Sequence, residues 1–401
     1  MRTNRTAALL LVAGGIAAGF GYLWALVAGR FMSRPEYADF TAGVSILYFI
    51  VIASGPLSQS VAYFVASARD REEALTLTTT AESLLLRYGG AVTILFVAAS
   101  PLFARVLHFQ GPLALAGVFV SGLLFALLSV RRGLIQGQSR FVTLAVNTVL
   151  EATVRLVAIG AAYFWLPSAP AGIATYAASI LIAVLVLPFP HAAARCDLRP
   201  LLRYLLSAFG ATAVYAAFLN SDVVLVKLFF PAADAAIYGA ASFLARASAM
   251  LVAPFYVFAV PHLVEARSDV ETLRRRFTRI CAQYSALAIV TVLAIALLRR
   301  QLVALFLGPG YVGAAALLVP LSVAIAIGGL TFIAGQLPMA LGMFRFLPSY
   351  AAAYVLEIVA IAVWHQTMAR VVYVLIAAQT LALLLMAVHV RTALVPRTRI
   401  S

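Results

Sequence analysis

Apolar windows of about 20 residues run along the whole chain, separated by short stretches that contain Arg, Pro and Gly. A helix of about 20 apolar residues crosses the hydrocarbon core of a bilayer, so each window predicts a membrane-spanning helix. The pattern predicts twelve spans and leaves no room for a soluble domain. We place them at about residues 7–29, 39–65, 84–104, 112–131, 142–165, 171–188, 204–230, 235–262, 279–298, 312–335, 347–368 and 371–390.

The basic residues are unevenly distributed over the connections between these windows. Of the 29 Lys and Arg residues, 20 fall at the termini and in alternate connections, 6 fall in the other connections, and 3 fall inside spans. Cytoplasmic connections carry the excess of Lys and Arg. We therefore expect both termini in the cytoplasm. The long apolar run after the basic N-terminus predicts a retained first span and not a cleaved signal peptide.

Composition supports this class of protein. The 401 residues are 64% hydrophobic and 11% charged, with a net charge of +15, which lies far outside the usual composition of soluble domains. The positive charge is explained by topology, so no nucleic-acid partner is expected. Cys196 and Cys281 lack disulfide or zinc spacing, and no Walker motif or nucleophile elbow is present. We expect no metal, no cofactor and no catalytic residues.

A weak internal repeat relates the two halves of the chain. At an offset of 198 residues Phe40 falls on Tyr238 and Pro56 on Pro254, and further along the offset grows to 205. An even number of spans in each half gives both halves the same orientation, with a substrate path between them. The sequence therefore predicts an all-α polytopic membrane protein with two six-helix bundles, residues 1–200 and 201–401, related by a pseudo-two-fold axis along the membrane normal.

Five stretches resemble one known family. The chain contains PEYADFTAGVSILYFIVIASGPLSQSVAYFVA, RRGLIQGQSRFVTLAVNTVLEATVRL, the segment from Asp222 through IYGAASF to Pro261, FLGPGYVGAAALLVPL and ALGMFRF. In this order they are similar to the bacterial polysaccharide flippases of the multidrug/oligosaccharidyl-lipid/polysaccharide exporter superfamily, over nearly the whole chain. The resemblance implies a MATE-like fold that alternates between inward-open and outward-open states.

The resemblance also implies a cargo, a location and partners. The cargo would be a polyprenyl-pyrophosphate-linked oligosaccharide, moved from the cytoplasmic to the periplasmic leaflet of the bacterial inner membrane. The product would feed O-antigen, capsule or exopolysaccharide assembly. Besides membrane lipids, the implied partners are glycosyltransferases and a polysaccharide polymerase of the same pathway, with a proton or sodium ion as an optional coupling ion.

The three basic residues inside spans are the candidate cargo ligands. A pyrophosphate must leave water with its negative charge, and the guanidinium fork of arginine binds phosphate oxygens in pairs. We expect Arg155 and Arg246 to bind it, with Lys227 as a third candidate. Two alternatives stay open. Arg155 can form a structural pair with Glu151, four residues earlier on the same helix face, and Lys227 can snorkel to the membrane surface.

Three acidic residues inside spans are candidates for ion coupling. Asp222, Glu151 and Glu357 all lie in predicted spans, and burial away from water favours the neutral form of a carboxyl group. Asp222 matches the aspartate that the family carries before its Gly/Tyr hairpin. That residue can instead pair with an arginine across the bundle, and structural hydrogen bonds are the alternative for the two glutamates.

Prolines inside spans predict kinks that help helices line a cavity and move. Pro56, Pro254 and Pro320 each remove one backbone hydrogen bond. Membrane helices also carry prolines that have no such role.

Two rival functions remain. A multidrug or cation antiporter of the same superfamily would favour an acidic, aromatic cavity, whereas the basic residues here suit an anionic headgroup. A membrane glycosyltransferase or polysaccharide polymerase would need a large outer loop with catalytic residues, and every predicted outer loop is short.

Overall fold

The computed structural model of the protein describes residues 2–192, 194–250, 263, 265–266 and 269–394. These residues form two compact units. The first comprises the chain up to Ala216 together with Phe230–Ala236, and the second comprises Ala217–Phe229 together with the chain from Ile237 onward. The boundary that we predicted between residues 200 and 201 stays a prediction.

Helices account for the secondary structure of the first unit. In chain order they are α1 (Arg2–Phe31), α2 (Arg34–Ala53), α3 (Gly55–Ala66), α4 (Arg71–Leu84), α5 (Gly90–Val106), α6 (Leu113–Gly137), α7 (Phe141–Trp165) and α8 (Ala169–Val186). A single π-helical turn, Leu85–Gly89, joins α4 to α5. Helix α6 lies at the centre, where it packs against α2, α3, α5 and α8, and α7 packs against α1 and α8.

The second unit continues the all-helical pattern. Its helices are the last part of α9 (Arg199–Phe229), α10 (Ala232–Met250), α11 (Val270–Phe306), α12 (Ala314–Ala340), α13 (Leu347–Val363) and α14 (Met368–Ala393). Short 3₁₀ turns at Pro309–Tyr311 and Phe344–Phe346 precede α12 and α13. Helix α12 packs against α11 and α14, and α13 packs against α14.

The protein is a multi-pass membrane protein with the all-α fold that the sequence predicts. Eleven helical segments among the described residues are long and apolar enough to cross a membrane, and they coincide with eleven of the twelve predicted spans. The predicted eighth span lies partly in residues 251–262, outside the described residues. Its described part belongs to α10.

The three predicted kink prolines have different outcomes. At Pro56 the second span is broken, because α2 ends at Ala53 and α3 begins at Gly55 with the proline in its first turn. Pro320 lies inside α12, which continues through it. Pro254 lies outside the described residues.

Helix α11 differs from the expected arrangement. The segment EARSDVETLRRRFTRI from Glu265 predicts an amphipathic helix on the cytoplasmic surface that links the eighth and ninth spans, or a solvated topology anchor. Instead, Val270–Phe306 is one helix of 37 residues, because the sequence contains no Gly or Pro between residues 270 and 307. At 1.5 Å per residue it is about 55 Å long, whereas the hydrocarbon core is only about 30 Å thick.

Two glycines bring the backbones of α3 and α6 into contact. A Cβ atom at Gly133 would lie 2.8 Å from the carbonyl oxygen of Ser58, and one at Gly137 would lie 2.7 Å from that of Ala62. Such distances are below any normal carbon–oxygen contact, so only glycine fits these two positions. Close packing through small residues is a common way for membrane helices to associate.

Candidate functional site

A cluster of charged side chains lies in the first unit. Glu151 and Arg155 are four residues apart on α7, a spacing that places both on one helix face, and the two side chains form an ion pair. The expected same-helix pair is therefore present. A second arginine joins it from α6, where Arg132 Nη2 donates to Glu151 Oε2 over 2.8 Å.

Arg132 is fixed in place by a second polar residue of α7. Its Nε donates to Asn147 Oδ1 over 2.9 Å. The Asn147 amide in turn donates to the backbone oxygen of Ala183 in α8 over 2.8 Å. Three helices therefore position this guanidinium, and 14% of the Arg132 side chain remains accessible.

Aromatic rings surround the other arginine. The guanidinium of Arg155 lies 3.8 Å from the ring centroid of Tyr176 and 5.9 Å from that of Trp24. The two rings are themselves 5.6 Å apart. Gly21 of α1 lies beside this arginine, where a Cβ would be in ordinary contact with Arg155 Nη1 at 3.5 Å. Cation–π contacts of a desolvated arginine contribute about 2 kcal/mol.

The cluster carries an excess of positive charge. Two guanidinium groups share one carboxylate, and all three side chains are at most 14% accessible. Neither Arg132 Nη1 nor Arg155 Nη1 donates a hydrogen bond to any described residue. Buried charges are expensive unless they are paired, so the cluster presents one uncompensated positive charge and free donors to an incoming anion.

The second unit contains a different charged cluster, on α9 and α10. Asp222 accepts from Arg246 Nη2 over 2.6 Å, from the Tyr238 hydroxyl over 3.0 Å and from the Ser242 hydroxyl over 3.3 Å. Asp222 and Arg246 are both buried. Asp222 thus pairs with an arginine of the adjacent helix in the same hairpin, and among the described residues one carboxylate faces one guanidinium.

A buried carboxyl group contacts the residue that precedes Asp222. Glu357 of α13 is 0% exposed, and its Oε1 accepts from the hydroxyl of Ser221 over 3.4 Å. Its Oε2 has no hydrogen-bond partner among the described residues, and no ion pair to a described residue involves Glu357. Glu357 therefore differs from Glu151, which two arginines neutralise.

The structure thus brings the predicted residues together as two clusters, Glu151 with Arg155 and Asp222 with Arg246. Lys227 is 2% exposed, which does not fit the alternative that it snorkels to the membrane surface, and its role as a cargo ligand stays a prediction. Arg132 was missed, because the apolar window of its span ends just before it. Its signal was the arginine pair RR inside a helix that continues to Gly137.

A further buried ion pair in the first unit has a structural role. Arg131 Nε donates to Glu82 of α4 over 2.7 Å, and its Nη1 donates to the backbone oxygen of Val184 over 2.8 Å. The same guanidinium lies 4.0 Å from the ring centroid of Phe189. Each of its three nitrogen atoms therefore donates a hydrogen bond within the protein.

Comparison with known sequences places the chain in a family. The sequence profile described as "Polysaccharide biosynthesis protein" matches residues 4–267, which is more than half of the chain. The chain belongs to this family. Both charged clusters lie within the matched residues, whereas Glu357 lies after them. None of the curated proteins matches the chain of this polysaccharide biosynthesis family member.

Solved structures share the fold of this family member. An inward-facing multidrug resistance MATE family transporter of the MOP superfamily has a TM-score of 0.75 at 14% identity, covering 96% of this chain and 98% of its own. The lipid II flippase MurJ, in an inward closed conformation, has a TM-score of 0.73 at 11% identity, and the match covers 96% of this chain and 87% of MurJ. A MOP superfamily transporter from Pyrococcus furiosus has a TM-score of 0.65 at 15% identity, and the match covers 97% of this chain and 96% of that transporter.

Proposed function

We propose that this protein is a flippase for a polyprenyl-pyrophosphate-linked oligosaccharide and works by alternating access in the bacterial cytoplasmic membrane. The observation that carries the proposal is the two-arginine cluster around Glu151. Family membership and the fold shared with MurJ and MATE transporters support a transport function. Transport of such a lipid, and not catalysis, is the activity we propose. The saccharide would serve O-antigen, capsule or exopolysaccharide assembly, with both protein termini in the cytoplasm.

The charge of the cargo matches the cluster. A pyrophosphate diester carries two negative charges, and arginine forks bind phosphate oxygens through paired hydrogen bonds. Arg132 and Arg155 offer unused Nη1 donors inside a low-dielectric site, where each interaction is stronger than in water. We assign these two residues to the pyrophosphate. Arg246 and Lys227 remain candidate ligands, and Arg246 would have to exchange its partner Asp222 for the cargo.

Coupling to an ion would use the second unit. Glu357 is buried without an ion pair to any described residue and Asp222 accepts three hydrogen bonds. Burial without an ion pair to a described residue favours proton uptake by Glu357, and the carboxylate oxygens of Asp222 can coordinate sodium. We propose these two residues as the coupling site.

The test is transport by purified protein in vesicles. A fluorescent prenyl-pyrophosphate-linked N-acetylglucosamine is loaded into proteoliposomes, and its appearance in the outer leaflet is followed with a membrane-impermeant quencher. Arg132→Gln and Arg155→Gln should each reduce the flipping rate at least tenfold. Arg140→Gln is the matched control, because this exposed arginine has no side-chain partner among the described residues. Wild-type rates in both cluster variants would remove the assignment.

One observation favours the rival function of cation antiport. A buried carboxyl group such as Glu357 also suits an organic cation, and a multidrug transporter shares the fold. The same vesicles, loaded with ethidium, decide between the functions. Ethidium export that depends on Glu357, with no flipping of the lipid-linked sugar, would replace the flippase proposal.

A further inference from the structure

We propose that Glu151 acts as a proton-accepting counter-ion that the pyrophosphate displaces, so that cargo binding at the first unit takes up one proton. This inference rests on the proposed function, because it concerns the same two-arginine cluster. It adds an exchange step. The carboxylate and the cargo compete for the same guanidinium donors.

Geometry makes the two anions compete. Glu151 uses one oxygen for Arg132 and the other for Arg155, so it bridges both guanidinium groups. A pyrophosphate that engages both arginines through paired hydrogen bonds needs the Nη2 donors that the carboxylate now occupies. The Nη1 donors alone give each arginine a single contact. Full engagement of the cargo therefore requires Glu151 to give up at least one of its partners.

The balance of charge in the loaded cluster favours protonation of Glu151. The cluster has two positive charges and one negative charge, and its side chains are almost fully enclosed. A pyrophosphate diester adds two negative charges, which leaves the complex with one surplus negative charge at Glu151. An unpaired buried carboxylate is strongly disfavoured and becomes neutral instead. One proton taken from water onto a Glu151 oxygen makes the complex neutral, and its release restores the empty cluster.

Neighbouring groups leave Glu151 as the residue that titrates. The charged groups that face it are Arg132 from α6 and Arg155 from its own helix. Tyr176 of α8 and Tyr48 of α2 complete the titratable groups that interact with the cluster. Arginine stays charged and tyrosine stays neutral near pH 7. Only the carboxyl group can therefore change its charge near pH 7.

Titration calorimetry on the full-length wild-type protein in detergent tests the inference. The probe is a short-chain prenyl-pyrophosphate-linked N-acetylglucosamine, a diester that does not titrate near neutral pH. Binding is measured at one pH in buffers with different ionisation enthalpies, and the slope gives the number of protons taken up. We expect about one proton per ligand, with an affinity that falls up to tenfold for each unit of rising pH. Binding without proton uptake in the wild-type protein would overturn the inference.

Variants separate this role from a structural one. Glu151→Gln should take up no proton, and its affinity should not depend on pH. Glu151→Asp keeps a titrating carboxyl group and should retain the uptake, which keeps the test decisive if the glutamine variant does not fold. Glu82→Gln is the matched control, since this buried carboxylate pairs with Arg131 outside the cluster, and it should retain the uptake of one proton.

The outcomes also separate this inference from the proposed function. Absence of probe binding, or binding that is unchanged in both Arg132→Gln and Arg155→Gln, contradicts the proposed function itself. Binding that depends on the arginines but takes up no proton contradicts only the exchange at Glu151. Proton uptake that persists in Glu151→Gln also overturns the exchange, because another group must then accept the proton.

Discussion

Two arginines share one carboxylate at Glu151, so replacing the glutamate and replacing one arginine should reduce the stability of the protein by different amounts. Replacing Glu151 with Gln leaves two guanidinium groups, 14% and 9% accessible, without a carboxylate. Removing one partner of a buried ion pair costs about 3–5 kcal/mol, because the remaining charge is uncompensated. Replacing Arg155 with Gln instead leaves Glu151 paired with Arg132 over 2.8 Å. We therefore expect Glu151→Gln to destabilise the protein by at least the cost of one broken pair, and Arg155→Gln by clearly less.

Thermal unfolding in detergent measures this difference. Trp24 is fully buried beside Arg155 and its Nε1 donates to Thr175, so its fluorescence reports unfolding at the cluster. The apparent Tm should fall most in Glu151→Gln, and the lipid-linked sugar should restore part of that loss by supplying the missing negative charge. An Arg155→Gln variant as unstable as Glu151→Gln would refute the charge argument and would indicate that packing against the aromatic rings dominates.

Three further predictions concern other parts of the protein. Gly137→Ala should cost about 1–3 kcal/mol by overpacking, since its Cβ would lie 2.6 Å from that of Val65, whereas Gly160→Ala, with no atom within 4 Å, should leave the apparent Tm unchanged. Asp269 caps α11, and its hydrogen bond from Thr272 holds its pKa below the ordinary value of 3.8. The cap should therefore persist at neutral pH and be lost as the pH falls below that value, which a lower protection of the first-turn amides, relative to their intrinsic exchange rates at each pH, would report. Glu357→Gln should make flipping in vesicles insensitive to an imposed sodium gradient while the protein stays folded.

Local patterns in the sequence predicted the helices and the pair of Glu151 and Arg155. The spans could be predicted from apolar windows because membrane helices need about 20 such residues. The Glu151 and Arg155 pair could be predicted from a four-residue spacing on one helix. Both predictions use only neighbours along the chain, and this is why they could be made without a structure.

Contacts between helices decided what the sequence could not predict. Arg132 comes directly after the apolar window of its span and resembles a topology-setting arginine. It becomes part of a buried cluster only because Glu151 lies 19 residues later on an adjacent helix. Lys227 also differs from what its position suggests. It lies near a helix end, where snorkelling is an alternative, yet its side chain is buried. A hydropathy value depends only on the residue type, so it does not show which neighbouring side chain neutralises a charged residue.

The second span consists of two helices, α2 and α3, and only α3 is in backbone contact with α6 through the glycines of α6. Below the break, α3 cannot slide along α6 because the two backbones touch at Gly133 and Gly137. On the other side of the break, α2 is connected to α3 through Ser54 alone and packs against α6 and α8. We therefore expect the two halves of the second span to change their relative direction at Ser54. Arg132 directly precedes the first contact glycine, so we expect it to keep its position relative to α3 in such a change.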